Sequence, residues 1–167
     1  MMNDIPPYET NELRAEAARS QREILRLVAP CGLYCGGCLA FVGGPIRSHA
    51  RNLKNLLGPN FPAYAERLSA MNPALANYPA FAEMLDFLAQ GSCGGCREGG
   101  CLLGNCGVRA CVLERGVEFC GLCPDFPCAS PGLPEGLLPL WQRNGELLRA
   151  KGPSAFLDLV RAKPRYP

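Results

Sequence analysis

The chemistry of this chain is written in its thiols. The stretch "APCGLYCGGC" places Cys31, Cys35 and Cys38 in a C-x3-C-x2-C spacing. Two C-x2-C knuckles follow, Cys93-Gly-Gly-Cys96 and Cys120-Gly-Leu-Cys123. Cys101, Cys106, Cys111 and Cys128 complete a set of 11. A C-x2-C pair lets a tight turn aim both sulfurs at one ion, and tetrahedral zinc commonly takes two such pairs. The glycines of the first knuckle free its backbone to bend N–H groups towards sulfur, which offsets thiolate charge. Zinc and iron–sulfur clusters both accept four thiolates. The ferredoxin run C-x2-C-x2-C-x3-C-P is absent.

The spacing leads to an expected grouping. The two knuckles form one site, with the intervening chain looping out and returning. The opening triplet needs a fourth ligand, and Cys128 is expected there because "PDFPC" carries it past a rigid turn. Cys101, Cys106 and Cys111 either build a third site or exchange roles with the others. The expected metal ligands are Cys31, Cys35, Cys38, Cys93, Cys96, Cys106, Cys111, Cys120, Cys123 and Cys128. Buried free cysteines also serve as small apolar residues. Cys111 shares a helix side with Val108, so core packing is the competing reading there. His49 is the one histidine. It lies beside the apolar stripe of a helix and is expected to face solvent.

Metal competes with disulfide as the reason for so many cysteines. The start of the chain lacks a basic segment followed by an apolar one, so no secretory signal is read there. No apolar run is long enough to span a bilayer. The expected location is the reducing cytoplasm, where paired cysteines mean metal more often than disulfide. The odd count also argues against complete pairing. Formal net charge is +2, which makes no electrostatic case for nucleic acid. Each zinc with four thiolates carries −2, so two such sites would take the protein to about −2. Between residues 93 and 128, Arg97, Arg109 and Arg115 stand against Glu98, Glu114, Glu118 and Asp125. A loaded centre would be acidic and a poor reader of phosphate.

These thiols must be positioned by short elements, since Gly (19) and Pro (16) punctuate the chain. A hydrophobic fraction of 48% supports an ordinary core. Apolar periodicity predicts a helix over 10–28, capped at Thr10 or Asn11 and stopped by Pro30. A second helix starts at Pro45, carries Ile46, Ala50, Leu53 and Leu57 on one stripe, and stops at Gly58. Shorter helices are predicted over 62–71 and 79–90, the latter burying Phe81, Leu85 and Leu88. Residues 91–131 hold eight of the cysteines and few aliphatic residues, so a cross-link other than a large core must order them. One helix fits inside, over 108–115, and "GVEFC" could be one short strand. Helical patterning returns with Leu137, Leu138, Trp141, Leu147 and Leu148, as one helix or a broken pair. Pro153 opens the last helix. Trp141 reads as core.

The expected architecture is mainly α, a small helical domain with irregular cysteine-rich metal-binding loops. Its organisation is an N-terminal helix over 1–28 and a single metal-binding helical domain over 29–167. Radical S-adenosylmethionine enzymes place a four-iron cluster on the C-x3-C-x2-C spacing. They need a parallel βα barrel around it, and no βα alternation follows Cys38.

"APCGLYCGGC", then "CGGC", then "CGVRACVLERGVEFCGLCPDFPC" together resemble an uncharacterised family of cysteine-rich bacterial and archaeal proteins. Its pattern is a CGLxCxxC opening, a CxGC knuckle and a C-x4-C-x3-KGxxxC-x2-C-x4-C ending. The resemblance covers about residues 25–160. Arg115 stands where the family often has lysine, and Cys101 is additional to the pattern. The resemblance implies a domain of unknown function that binds metal, zinc first among the candidates.

Three functional readings follow. One is a zinc-stabilised structural or interaction module that meets a protein partner. Another is an iron–sulfur electron carrier of anaerobic metabolism. The last is a metal–thiolate enzyme with an open coordination position at Cys31, Cys35 and Cys38. No phosphate-binding glycine motif occurs. One histidine gives little support to Cys–His catalysis.

Overall fold

The computed structural model describes residues 17–18, 20–99, 101–104 and 106–166. It is mainly helical, as its sequence predicts. The predicted caps at Thr10 and Asn11 lie outside the described residues. Residues 17–18 and 20–27 are the described helical residues of α1, and Val28 closes it, its N–H donating to Ile24 O at 2.8 Å two residues before Pro30. α2 runs Pro45–Leu57, with proline in its first turn and Gly58 at its end. α3 covers Phe61–Leu68. A 3-10 turn, Pro73–Asn77, leads into α4, Tyr78–Gln90. α5 is Val108–Glu114. After two further 3-10 turns, Cys120–Leu122 and Glu135–Leu137, α6 spans Leu138–Arg161. α6 breaks at Gly152, whose φ of 78° is left-handed, and Pro153 restarts it.

Two sequence-based expectations change. Phe81 is half exposed rather than buried in the α4 stripe. It tilts onto Tyr78, which stacks edge-on against Phe61 of α3, so the aromatic residues cluster at the end of α4. Leu85 and Ala89 carry the α4 contact, packing with Ala50 of α2. The segment "GVEFC" is irregular. Phe119 is fully buried there, as a plug between Ile24 and Val28 of α1 and Leu148 and Phe156 of α6. The α1 turns therefore share a core with the main body.

The loop over 29–41 links the rest of the fold. Cys120 N–H donates to the Pro30 carbonyl at 2.7 Å. At the other end of the loop, Ser92 and Cys93 N–H groups both donate to Ala40 O at 2.9 Å, beside a bridge between Phe41 and Cys93. In the middle, buried Asn144 of α6 donates through Nδ2 to Gly32 O at 2.9 Å. The second knuckle sits so close to α6 that a Cβ on Gly121 would lie 2.6 Å from Gly145 Cα. Only a glycine pair allows this backbone approach.

Candidate metal centres

The thiols gather in two groups. Cys111, Cys120, Cys123 and Cys128 line one cavity of about 240 Å³. Cys111 comes from α5, and Cys120 and Cys123 from the 3-10 knuckle. Cys128 follows the cis Phe126–Pro127 peptide. Arg149 of α6 staples the knuckle from behind. Its guanidinium donates to Gly121 O at 2.9 Å, to Phe126 O at 3.3 Å and to Cys123 O. Phe126 and Trp141 meet edge-on, with centroids 4.8 Å apart, and form an apolar floor.

Polar groups around this cavity favour negative sulfur. Arg115, held by Asp125, places Nη1 3.9 Å from Cys123 Sγ. Trp141 Nε1–H is buried without a hydrogen-bond acceptor of good geometry. Its polar neighbour is Cys120 Sγ. Burial pushes the Cys120 thiol up, and the indole N–H acts against that rise. A thiol is a weak acceptor, whereas a thiolate would satisfy the indole. The donor set and the orphaned N–H therefore fit a four-thiolate metal centre. Among the described residues, no three Cys, His, Asp or Glu side chains stand in ion-holding geometry. Closure on an ion takes rotation of the thiols into the cavity they line.

The other group contains the opening triplet, the first knuckle, Cys101 and Cys106. Cys31 is buried in the same core as Val108, Val112 and Trp141, with Cys35, Cys96 and Cys106 packed against it. Burial pushes the Cys31 thiol up to about 12, the neighbouring Cys96, Cys106 and Cys35 add to the rise, and Leu33 N–H opposes it. Burial likewise takes Cys35 to about 11 against the Cys96 N–H. Cys96 also reaches about 11, through burial and then its neighbours Cys101 and Cys106, with Arg97 opposing. Backbone N–H groups thus point at the sulfurs of both Cys31 and Cys35, the arrangement that stabilises a coordinated thiolate. Tyr166 O–H donates to Cys38 Sγ at 3.7 Å.

Arg97 anchors this second group. It donates to Leu25 O at 2.6 Å, to Val28 O at 2.7 Å and to Glu118 O, and it stacks on Phe119 at 5.0 Å. An open groove borders the first knuckle, lined by Arg22, Arg26 and Arg97 together with Glu23 and Glu98.

The ten predicted ligands all fall into these two groups, but the predicted partners change. The cavity lined by the second knuckle does not include Cys93 or Cys96 of the first. Cys120 and Cys123 join Cys111 and Cys128, and Cys93 and Cys96 join the opening triplet. Cys128 does not complete the triplet. The loop over 29–41 explains this, because it holds one knuckle at Pro30 and the other at Ala40. Cys101, additional to the pattern, neighbours Cys96. His49 is exposed on α2 and lines neither the four-thiol cavity nor the groove at the first knuckle. Sequence reasoning did not assign Arg97, Arg149, Trp141 or Tyr166 to a site. Only Arg97, adjacent to Cys96, carried a local signal.

A family model described as "Protein of unknown function (DUF3795)" matches residues 27–131. The chain belongs to that family. All 11 cysteines lie within the DUF3795 match, while Trp141, Arg149 and Tyr166 lie beyond it. The match ends earlier than the resemblance over 25–160 suggested. No curated protein and no solved structure matches the chain.

Proposed function

We propose that this DUF3795 protein is a zinc–thiolate module in which bound metal orders the cysteine-rich segment. The observation that carries the reading is the single cavity lined by Cys111, Cys120, Cys123 and Cys128, with an unpartnered indole N–H at Cys120. Those four thiols would hold one zinc. The ion would supply folding energy to a segment with few aliphatic side chains. A closed four-thiolate site leaves no open position for substrate, so the module reading is preferred to an enzyme.

All 11 cysteines are free, as a metal–thiolate protein of the reducing cytoplasm requires. Among the described residues no helix is long and apolar enough to cross a membrane. α2–α4 expose Leu56, Met71, Met84 and Phe87, apolar surface that the module reading assigns to a protein partner.

The test is metal analysis of anaerobically purified protein, followed by thermal melting before and after a strong chelator. At least one zinc per chain and a melting point lowered by chelation are expected. Cys128→Ser should lower the zinc content. Less than one metal per chain overturns the reading. A broad visible absorption with iron in place of zinc would make the protein an iron–sulfur carrier instead.

A further inference from the structure

A group of cations at the end of the chain has no part in the zinc–thiolate reading. From residue 143 onward the sequence carries six basic residues and two acidic ones. Some of these cations serve the fold. Arg149 staples the second knuckle, and Arg161 pairs with Glu23 of α1 at 2.6 Å. Arg143, Lys163 and Arg165 instead line one cavity of about 350 Å³. Among the described residues, no acidic side chain lines it and none of these three cations pairs with a carboxylate. Other cavities of the molecule set a carboxylate beside their cations. Glu23 and Glu98 accompany the arginines of the first-knuckle groove, Asp86 accompanies Lys54 between α2 and α4, and Asp125 accompanies Arg115 at the four thiols.

We propose that this cavity binds a small organic phosphate, with the phosphoryl group held by Arg143, Lys163 and Arg165 and the apolar body against Tyr34, Leu140 and Val160. Like charges around one concavity repel, and a bridging dianion removes that repulsion. Guanidinium groups meet phosphate oxygens through paired N–H donors. A carboxylate brings one charge to three cations, whereas a phosphate ester brings close to two. The dipole of α6 does not account for the cluster. Lys163 follows its C-terminal end, where a cation is favoured, but Arg143 stands near its N-terminal end, where it is not. Arg165 supplies a separate observation. Its Nε–H is shielded from water and has no hydrogen-bond partner. A buried donor without an acceptor is costly, and an anion in the cavity would supply one.

The walls are set before a ligand arrives. Buried Asn144 of α6 donates to Gly32 O at 2.9 Å and docks the 29–41 loop on the helix. The Tyr34 ring lies over Gly36, where a Cβ would come within 2.7 Å of it. The tail over 163–166 crosses the same loop. A Cβ on Gly37 would lie 3.0 Å from Arg165 Cβ, and Leu39 N–H donates to Tyr166 Oη at 3.1 Å. Preformed walls reduce the ordering cost of binding. The volume falls among small-molecule sites, and a bare phosphate would leave much of it empty.

The experiment titrates phenyl phosphate into the full-length, metal-bearing chain by calorimetry at low salt, with benzoate and inorganic phosphate as controls. One phenyl phosphate per chain is expected, bound more tightly than either control and more weakly as salt rises. Arg143→Gln and Lys163→Gln change exposed side chains, so both variants should melt as wild type does. Each should weaken binding about tenfold, the loss of one charge-assisted hydrogen bond. Equal affinity for benzoate overturns the phosphate assignment. Equal affinity for inorganic phosphate overturns the role of the apolar walls. No saturable binding of phenyl phosphate, or binding unchanged in both variants, overturns the site and leaves the zinc–thiolate reading untouched.

Discussion

Gly121→Ala tests how the second knuckle is held. The added Cβ would sit 2.6 Å from Gly145 Cα and 2.7 Å from Gly145 O. Both are backbone atoms of α6, so no rotamer change relieves the contact. Overpacking of this kind costs about 1–3 kcal/mol. Moving the knuckle away also stretches the Arg149 bond to Gly121 O, now 2.9 Å. A hydrogen bond to a charged group is worth about 1.5–3 kcal/mol. A destabilisation of about 3 kcal/mol is expected. In a chain of this size, 1 kcal/mol moves the melting point by about 2–4 °C, so the drop should be about 6–12 °C. The control is Gly136→Ala, where the new Cβ meets nothing within 4 Å and φ needs no glycine. Both variants are melted metal-free and metal-loaded. If Gly121→Ala melts within a degree of Gly136→Ala, the knuckle is not clamped against α6 and the packing argument fails. Because Gly121 lies between Cys120 and Cys123, the variant should also lose metal to a chelator faster.

In chelator-treated protein, the buried thiol of Cys31 and the half-buried thiols of Cys35 and Cys96 stand at about 12, 11 and 11 against an ordinary 9.0. Unfolded thiols ionise first, so stability should be intact below about pH 9 and fall as pH rises through 11–12; a urea midpoint that rises over that window contradicts it. Trp141→Phe keeps the ring against Phe126 but removes the orphaned N–H, so it should leave the metal-free melting point unchanged or raised and weaken metal retention several-fold in chelator competition. A Trp141→Phe protein that retains metal as tightly as wild type removes the indole from the site. Arg97→Ala deletes the bonds to Leu25, Val28 and Glu118 carbonyls and should cost about 1.5–3 kcal/mol by urea unfolding, with Arg97→Lys recovering little because one ammonium cannot span three acceptors. Full recovery by lysine would mean that charge alone matters.

Helix boundaries were legible wherever glycine or proline marks them. Pro45 and Gly58 bound α2, and Gly152–Pro153 marks the break in α6. These are local constraints on φ and on the backbone donor, so they survive without knowledge of the fold. The closeness of the two thiols within each knuckle was also legible, because C-x2-C is a local geometry. Their partners were not. Spacing along the chain favoured one knuckle opposite the other, and two long-range hydrogen bond sets, at Pro30 and at Ala40, decide otherwise. Phe81 shows the same limit. Its periodicity is that of a buried stripe, but Tyr78 and Phe61 draw it to the rim. Trp141 was legible as a core residue, while its N–H facing a cysteine more than twenty residues away was not.

The same division of labour should govern what chelation does to the proposed zinc–thiolate module. Cys31, Cys120 and Cys123 are themselves core residues, packed with Val108, Val112 and Trp141. Without an ion they are still small buried groups of that core, so collapse of the whole chain is not required. The segment around them has little else to hold it. α2 and α4 differ. They pack on their own core of Ala50, Leu85 and Ala89, closed by Leu57 and Leu88. Lys54 and Asp86 pair across it at 2.6 Å, and Arg47 ties α2 to the end of α4 through Gln90 O at 2.9 Å. None of these contacts involves a thiol. Chelation should therefore release hydrogen-exchange protection in α5 and the 120–128 loop while α2 and α4 amides keep theirs, since local opening follows the contacts that each unit owns. Simultaneous loss of protection in α2, α4 and α5 would show that the thiol-lined core supports the helical pair as well, and that the three clusters form one cooperative unit.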